Sequence, residues 1–276
     1  MDTHVIALVA RKEVRDALRN RWFLLYAAAF AVLALALSRL SLGDTSAAGF
    51  AGFGRTAASL VNLVLLVVPL MGLTLGAASL AGERERGTLP MLLAQPVTRR
   101  EVLFGKFAGL ALALGAALAL GFGLAGGLVG LRGGSVEAGS YARVIGLALL
   151  LALAMLAVGL LISAAARRVG AATGVALFVW LVLVFLGDLG LMGTAMTLRL
   201  DIRTLFGLTL LNPLETYKIA AIGAITGGLD VLGPAGVYAT RTYGDGLGAL
   251  LAGVLIVWIV APLVASSWIF EERGIG

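Results

Sequence analysis

Six long apolar runs, nearly free of charge, constrain this chain more than any other feature of it. They cover approximately residues 22–42, 57–81, 104–131, 143–165, 170–192 and 246–267. Crossing about 30 Å of hydrocarbon takes roughly 20 helical residues at 1.5 Å each. Each run meets that length, and lipid offers the backbone no hydrogen-bond partner outside the chain. The expected fold is therefore an all-α integral membrane protein of about six transmembrane helices. Composition agrees: 60% of residues are apolar and 13% charged, against about 25% charged in a soluble domain. No soluble domain or low-complexity linker interrupts the runs, so residues 1–276 read as one transmembrane domain. The absence of an internal repeat argues against an inverted-repeat carrier.

Lysines and arginines near the ends of the runs set the orientation. The N-terminus, segment 82–103, Arg167-Arg168 and the C-terminal tail, with Lys106 just beyond, hold 13 of the 21 basic residues. That side is expected to be cytoplasmic, and an even number of spans then places both termini there. Trp22 and Trp268 stand where interfacial aromatics belong. The first run is long and lacks a clean cleavage site, so it reads as a retained span and not a signal peptide.

Much chemistry is excluded. Cysteine is absent and His4 is the single histidine. No disulfide framework, thiolate metal site or intramembrane histidine base is available. No GxxxxGK[ST] occurs, so any ATP must bind to another chain. The net charge of +6 is spent on topology rather than gathered for nucleic acid.

Three segments stand apart from the spans. Residues 1–21 form an amphipathic interfacial helix on a helical wheel. Lys12, Arg15, Asp16 and Arg19 fall on one face, with Arg11 adjacent, and Ile6, Ala10, Val14, Ala17 and Leu18 on the opposite one. Such a helix lies in the membrane interface with its basic face toward anionic headgroups or a cytoplasmic partner.

Segment 82–103 is the most informative. Gly87 breaks the second span after Glu83, Arg84, Glu85 and Arg86. Thr88 is placed to N-cap a short helix beginning at Leu89, with Pro90 in its first turn. Pro96 restricts Gln95 and ends that helix. Thr98 and Glu101 then have the spacing of a capping box, and Val97 with Val102 that of a hydrophobic staple. The third span thus starts afresh from a set entry angle. Leu89, Met91, Leu92 and Leu93 are expected to expose an apolar patch rimmed by Glu83, Glu85, Arg86, Arg99 and Arg100. Such a patch marks a docking surface, with Arg167 and Arg168 as a second contact.

Segment 193–245 lies on the outer side. Asn212-Pro213-Leu214-Glu215 is a strong helix start, and the helix from Pro213 to Thr226 is too short to span. It is expected to re-enter or lie in the interface between spans five and six. Gly233-Pro234-Ala235-Gly236 is expected to make a turn before the last span. Met192 and Met196, one turn apart near the outer face, are the only soft-ligand pair. Two thioethers without histidine or cysteine read as packing, not as a metal site. Gly123 and Gly127, Gly126 and Gly130, and Gly223 and Gly227 have the GxxxG spacing of close helix packing, expected within the chain.

The run from Glu83 to Lys106, E-R-E-R-G-T-L-x-x-L-L-x-x-P-V-T-R-x-E-V-L-x-G-K, resembles the cytoplasmic turn of type-2 ABC exporter permeases. The opening R-K-E-V-R-D-x-L-R-N-R-W from Arg11 to Trp22 resembles their N-terminal connecting helix. More narrowly, the pattern is similar to the NosY-type group, named for the permease serving maturation of the copper enzyme nitrous oxide reductase. The resemblance implies a transmembrane subunit with no catalytic residues, two copies of which bind a cytoplasmic ABC ATPase dimer carrying ATP and magnesium. It also implies a periplasmic accessory protein and supply of copper or a sulfur species. On that pattern Glu83, Glu85, Arg86, Gly87, Thr88, Leu89, Leu92, Leu93, Pro96, Thr98, Arg99 and Glu101 carry the ATPase coupling, with location in a bacterial or archaeal cytoplasmic membrane. Alternative readings are an efflux permease for a hydrophobic or peptide cargo, an ion-coupled carrier using Asp188, a membrane enzyme, and a structural anchor.

Overall fold

The computed structural model describes residues 2–43, 50–131, 138–187, 201–226, 229 and 234–272. All regular structure among them is helical. The elements are α1 (Thr3–Arg19), α2 (Arg21–Gly43), α3 (Phe50–Glu85), α4 (Thr88–Leu93), α5 (Arg99–Leu131) and α6 (Ala138–Ala165). They continue with α7 (Val169–Phe185), α8 (Ile202–Leu210), α9 (Pro213–Thr226), α10 (Pro234–Tyr243) and α11 (Leu247–Glu272). A 3-10 turn, Gly244–Gly246, joins the last two. Five helical stretches are long and apolar enough to cross a membrane: Arg21–Leu40, Ser59–Glu85, Arg99–Leu128, Gly139–Ala165 and Gly236–Glu272. The expected fifth run, 170–192, appears as the shorter apolar helix α7, and its residues 188–192 lie outside the described residues.

The core is a seam between α3 and α6. Glycine makes it possible, because without a side chain two helix backbones approach within van der Waals contact. A Cβ on Gly76 would sit 2.6 Å from the Leu156 carbonyl oxygen and 2.8 Å from the Leu160 nitrogen. A Cβ on Gly72 would meet the Ala152 carbonyl oxygen at 2.8 Å, and one on Gly159 the Leu73 carbonyl oxygen at 2.5 Å. The same device seats α1 on α5, where Gly105 faces Val9 and Gly109 faces the backbone of Ala10. The expected GxxxG pairs contribute much less. Gly126 packs on the Tyr141 ring and Gly223 on Leu229, but Gly123, Gly127 and Gly130 meet nothing within 4 Å. Spacing alone does not say which face of an all-apolar helix meets its neighbour. Gly227 lies outside the described residues.

Buried polar groups are accommodated by local pairing. The Ser163 hydroxyl donates to the Ala77 carbonyl at 2.7 Å and accepts from the Ala81 amide at 2.8 Å. It thereby bridges the donor and acceptor that an α-helix joins directly, one turn before α3 reaches its charged end. Tyr141 donates to the Phe122 carbonyl at 2.7 Å, and Phe122 sits edge-on between the rings of Phe30 and Tyr141.

Helix α9 has the bounds expected of it. Asn212 caps it, its side-chain oxygen accepting from the Leu214 amide at 3.0 Å. The side-chain nitrogen of Asn212 donates to the Leu183 carbonyl at 2.6 Å, holding the helix against α7. Pro213, Leu214, Tyr217, Ala220 and Ala221 are buried as α9 packs against α6, α3 and α11. It therefore dips into the bundle instead of lying flat on it. Asp188, Met192, Met196 and Gly233 lie outside the described residues. The turn expected over Gly233-Pro234-Ala235-Gly236 is corrected: Pro234, Ala235 and Gly236 form the first turn of α10, proline being tolerated there because its missing N–H has no intrahelical partner to lose.

Candidate functional site

The ends of α3, α5, α6, α7 and α11 that sequence assigns to the cytoplasm meet around α4. Gly87 turns the chain there with φ of +68°, a left-handed conformation that costs glycine little and other residues more. Nothing lies within 4 Å of where its side chain would be. Its role is conformational.

Helix α4 then runs from Thr88 to Leu93, and two expectations about it are corrected. Gly87, not Thr88, is the N-cap position. The Thr88 hydroxyl instead donates backward to the Glu83 carbonyl at 3.2 Å, satisfying an acceptor orphaned where α3 ends. The apolar residues do not form one exposed patch. Leu89 is buried, Leu92 and Leu93 are half-buried against the core, and Met91 is 73% exposed. A six-residue helix has too little backbone bonding to stand alone, so it turns its leucines inward for support.

The start of α5 follows the expected pattern. The Glu101 amide donates to the Thr98 hydroxyl at 3.3 Å, and the Thr98 amide donates to Glu101 Oε2 at 2.9 Å. Each side chain covers the other's orphan donor. Val102 is buried, and Val97 packs against the same cluster. Thr98→Val removes the hydroxyl while keeping the volume. The expected loss is about 1 kcal/mol, read as a lowered midpoint of thermal unfolding in detergent.

Four ties join this bracket to the rest of the bundle. Arg84 donates to the carbonyls of Ser163 and Ala166, the unpaired end of α6. Glu85 Oε2 accepts from the Val169 amide at 2.8 Å, at the first turn of α7. Arg99 donates to the carbonyls of Phe270 and Glu271 at 3.1 and 2.7 Å, and Arg100 pairs with the Glu271 carboxylate at 2.5 Å. Asp2 donates its backbone amide to Glu101 Oε1 at 2.6 Å, bringing the start of α1 to the capping box. Arg167 and Arg168 are exposed in the α6–α7 turn beside Glu85.

Beneath the bracket lies a charge network. Lys106 on α5 is 1% exposed and donates to Glu13 Oε1 on α1 at 2.6 Å. It also lies 3.0 Å from Glu83 Oε1 on α3. Lys12 reaches the same Glu83 oxygen at 2.6 Å and lies 3.5 Å from Glu13. Burial pulls the Lys12 ammonium down, yet the hydrogen bond to Glu83 and the charges of Glu83, Glu13 and Asp16 hold it above the ordinary lysine value. Three helices thus share two carboxylates between two ammonium groups. Lys12 is half exposed, but Lys106, Glu13 and Glu83 are buried, so losing Lys106 would leave two poorly solvated carboxylates sharing one lysine.

The bracket and most of the N-terminal helix fall within the match to a family model that covers nearly the whole chain. The model described as ABC-2 family transporter protein matches residues 7–275. The chain belongs to the ABC-2 transporter family. The permease is 33% identical, over 277 residues, to the probable ABC transporter permease protein NosY of Pseudomonas aeruginosa, covering 98% of this chain and 99% of that one. It is also 33% identical over 271 residues to the protein of the same description from Stutzerimonas stutzeri, covering 96% and 97%. An ABC-2 permease is a multi-pass subunit of the cytoplasmic membrane and not itself an enzyme; it works with a separate ABC ATPase, which binds the ATP.

Within the permease, Glu83, Glu85 and Glu101 are committed to partners inside the chain. The sequence led us to expect pairing with the ATPase or within the turn. Only Glu101 pairs within the turn; Glu83 is held by Lys12 and Lys106, and Glu85 by the Val169 amide. The N-terminal helix is turned from its expected register. Its buried face is Val9, Ala10, Glu13 and Ala17, while Leu18 is 52% exposed. The wheel assumed that only apolar residues face inward, and Glu13 does so because Lys106 awaits it. Lys106 was read only as a topogenic charge. Its signal was its place inside the third apolar run, where an ionisable residue demands a partner.

Proposed function

We propose that the permease converts nucleotide-driven closure of a cytoplasmic ABC ATPase dimer into movement of its spans, with α4 as the docking element. The observation that supports this is a short helix with Met91 exposed, flanked by residues tied to α1, α6, α7 and α11. A surface only for connection needs no such stitching. Exposed apolar groups supply docking energy, and the ties pass displacement to several helices at once. Arg167 and Arg168, exposed beside the bracket, add a second contact.

In this reading six helices cross the bilayer, α7 belonging to the fifth, and both termini are cytoplasmic. Two copies of the chain face each other, as a dimeric motor requires. The likeness to the NosY proteins supports a role in copper or sulfur supply to a copper enzyme, with a periplasmic accessory protein engaging the outer segment 193–245.

The test is co-purification of the ATPase. Met91→Asp places a charge at the exposed centre of α4 without touching the buried leucines. It should cut ATPase recovery at least about tenfold, equivalent to ~1.4 kcal/mol, with membrane insertion unchanged. Met91→Leu should bind as the parent does. Equal recovery of the ATPase with Met91→Asp would remove α4 from the docking surface.

A further inference from the structure

At the cytoplasmic end of the bundle a cavity of about 970 Å³ opens between α1, α2, α3, α5 and α7. Its volume is at the upper end for ligand sites, which run to about 1,000 Å³. It is two-toned. The Lys12–Glu83–Lys106–Glu13 network with Arg19 and Arg86 supplies its charged lining. Trp22, Phe23, Tyr26, Leu75, Leu110 and Leu177 supply the apolar lining. Along α3, Glu83 and Leu75 are separated by about 12 Å at 1.5 Å per residue. That carries the apolar wall most of the way through one leaflet, about 15 Å of a 30 Å hydrocarbon layer.

The charges do not all cancel among the described residues. Lys12 and Lys106 are engaged by Glu83 and Glu13, and Asp16 lies 3.8 Å from Lys12. Arg19 and Arg86 form no ion pair among the described residues. Arg86 does not reach toward α4. It folds back over the last turn of α3, so that a Cβ on Gly82, itself lining the cavity, would meet its terminal nitrogens at 3.5 and 3.6 Å. Two guanidinium groups at the headgroup level, above an apolar slot one leaflet deep, are complementary to a phosphate carrying an acyl tail. Guanidinium suits phosphate because its planar fork donates two hydrogen bonds at once.

We infer that this cavity is a binding site for a phospholipid of the inner leaflet. Arg19 and Arg86 hold the phosphate, and a chain lies between Trp22 and Tyr26 on one side and Leu177 on the other. This goes beyond the docking of the ATPase and does not depend on it, since none of the apolar wall belongs to α4. The lipid would wedge the connecting helix against α3 and α7.

The experiment is native mass spectrometry of the full-length chain, delipidated in mild detergent and then offered phosphatidylglycerol, glycerol 3-phosphate or inorganic phosphate. The parent should retain phosphatidylglycerol and neither of the small phosphates. Arg19→Ala with Arg86→Ala should weaken retention about a hundredfold. Leu177→Trp keeps both guanidinium groups and fills the slot, so it should also lose the lipid, even where the arginine variant fails to fold. Unchanged retention in either variant overturns the site. Retention of inorganic phosphate in place of the lipid would make it an anion site without a tail and overturn the lipid assignment. A parent that appears only as a dimer without lipid would show that a second copy fills the slot, and would overturn it as well. ATPase recovery measured on the same preparations separates a failure here from a failure of α4 docking.

Discussion

Lys106→Met should unfold much of the protein in detergent. The lysine is 1% exposed and is shared by Glu13 and Glu83, which are themselves buried. Removing one partner from such a network costs about 3–5 kcal/mol, because the charges left behind are unsolvated. Lys12 remains to compensate one carboxylate through its 2.6 Å contact with Glu83, but Glu13 is left with only its 3.5 Å approach. The measurement is the monodisperse fraction and unfolding midpoint in detergent. Adding Glu13→Gln to Lys106→Met removes the stranded charge and should restore a large part of the loss. A single variant as stable as the parent would mean that Lys12 and the adjoining cavity suffice to support both carboxylates. A double variant no better than the single would mean that Lys106 acts through packing alone.

The second large effect is steric. Gly76→Leu drives a side chain into the backbone of α6, where the Leu156 carbonyl and Leu160 amide already stand 2.6 and 2.8 Å from its first carbon. Backbone cannot rotate aside as a side chain can. The cost should exceed the about 1–3 kcal/mol typical of overpacking, and the protein should fail to accumulate. Gly127→Leu, on a helix face with nothing within 4 Å, should accumulate normally. The pair is read by membrane expression and gel filtration of both variants. Equal behaviour would show that α3 and α6 are not in contact along this line.

These two positions also show what the sequence could and could not tell. Helix existence was legible because apolar runs of membrane length leave the backbone no alternative. The Thr98–Glu101 box and the Asn212 start were legible because caps are local, their partners lying two or three residues away. Lys106 was legible as a charge but not as a hub, since Glu13 and Glu83 are far off in sequence. The glycine seam was illegible for a different reason. In helices apolar on every side, Gly72 and Gly76 look no different from Gly123 and Gly127; only the neighbour distinguishes them. The α4 patch failed for a third reason. A hydrophobic residue next to a membrane protein's core has two places to go, and six residues are too few for periodicity to choose.

The Arg99 and Arg100 contacts to the last turn of α11 carry a mechanical consequence. That helix rises through the whole bundle, and at its far end Gly244, with φ of +48°, bends it into α10. On the proposed coupling, a tilt imposed at its Glu271 end is expected to arrive, like the stroke of a pushrod, at α10 on the opposite end of the bundle. The rod also lies along α6, so the same stroke would load the glycine seam, and force as well as cargo would be something the proposed machine passes on.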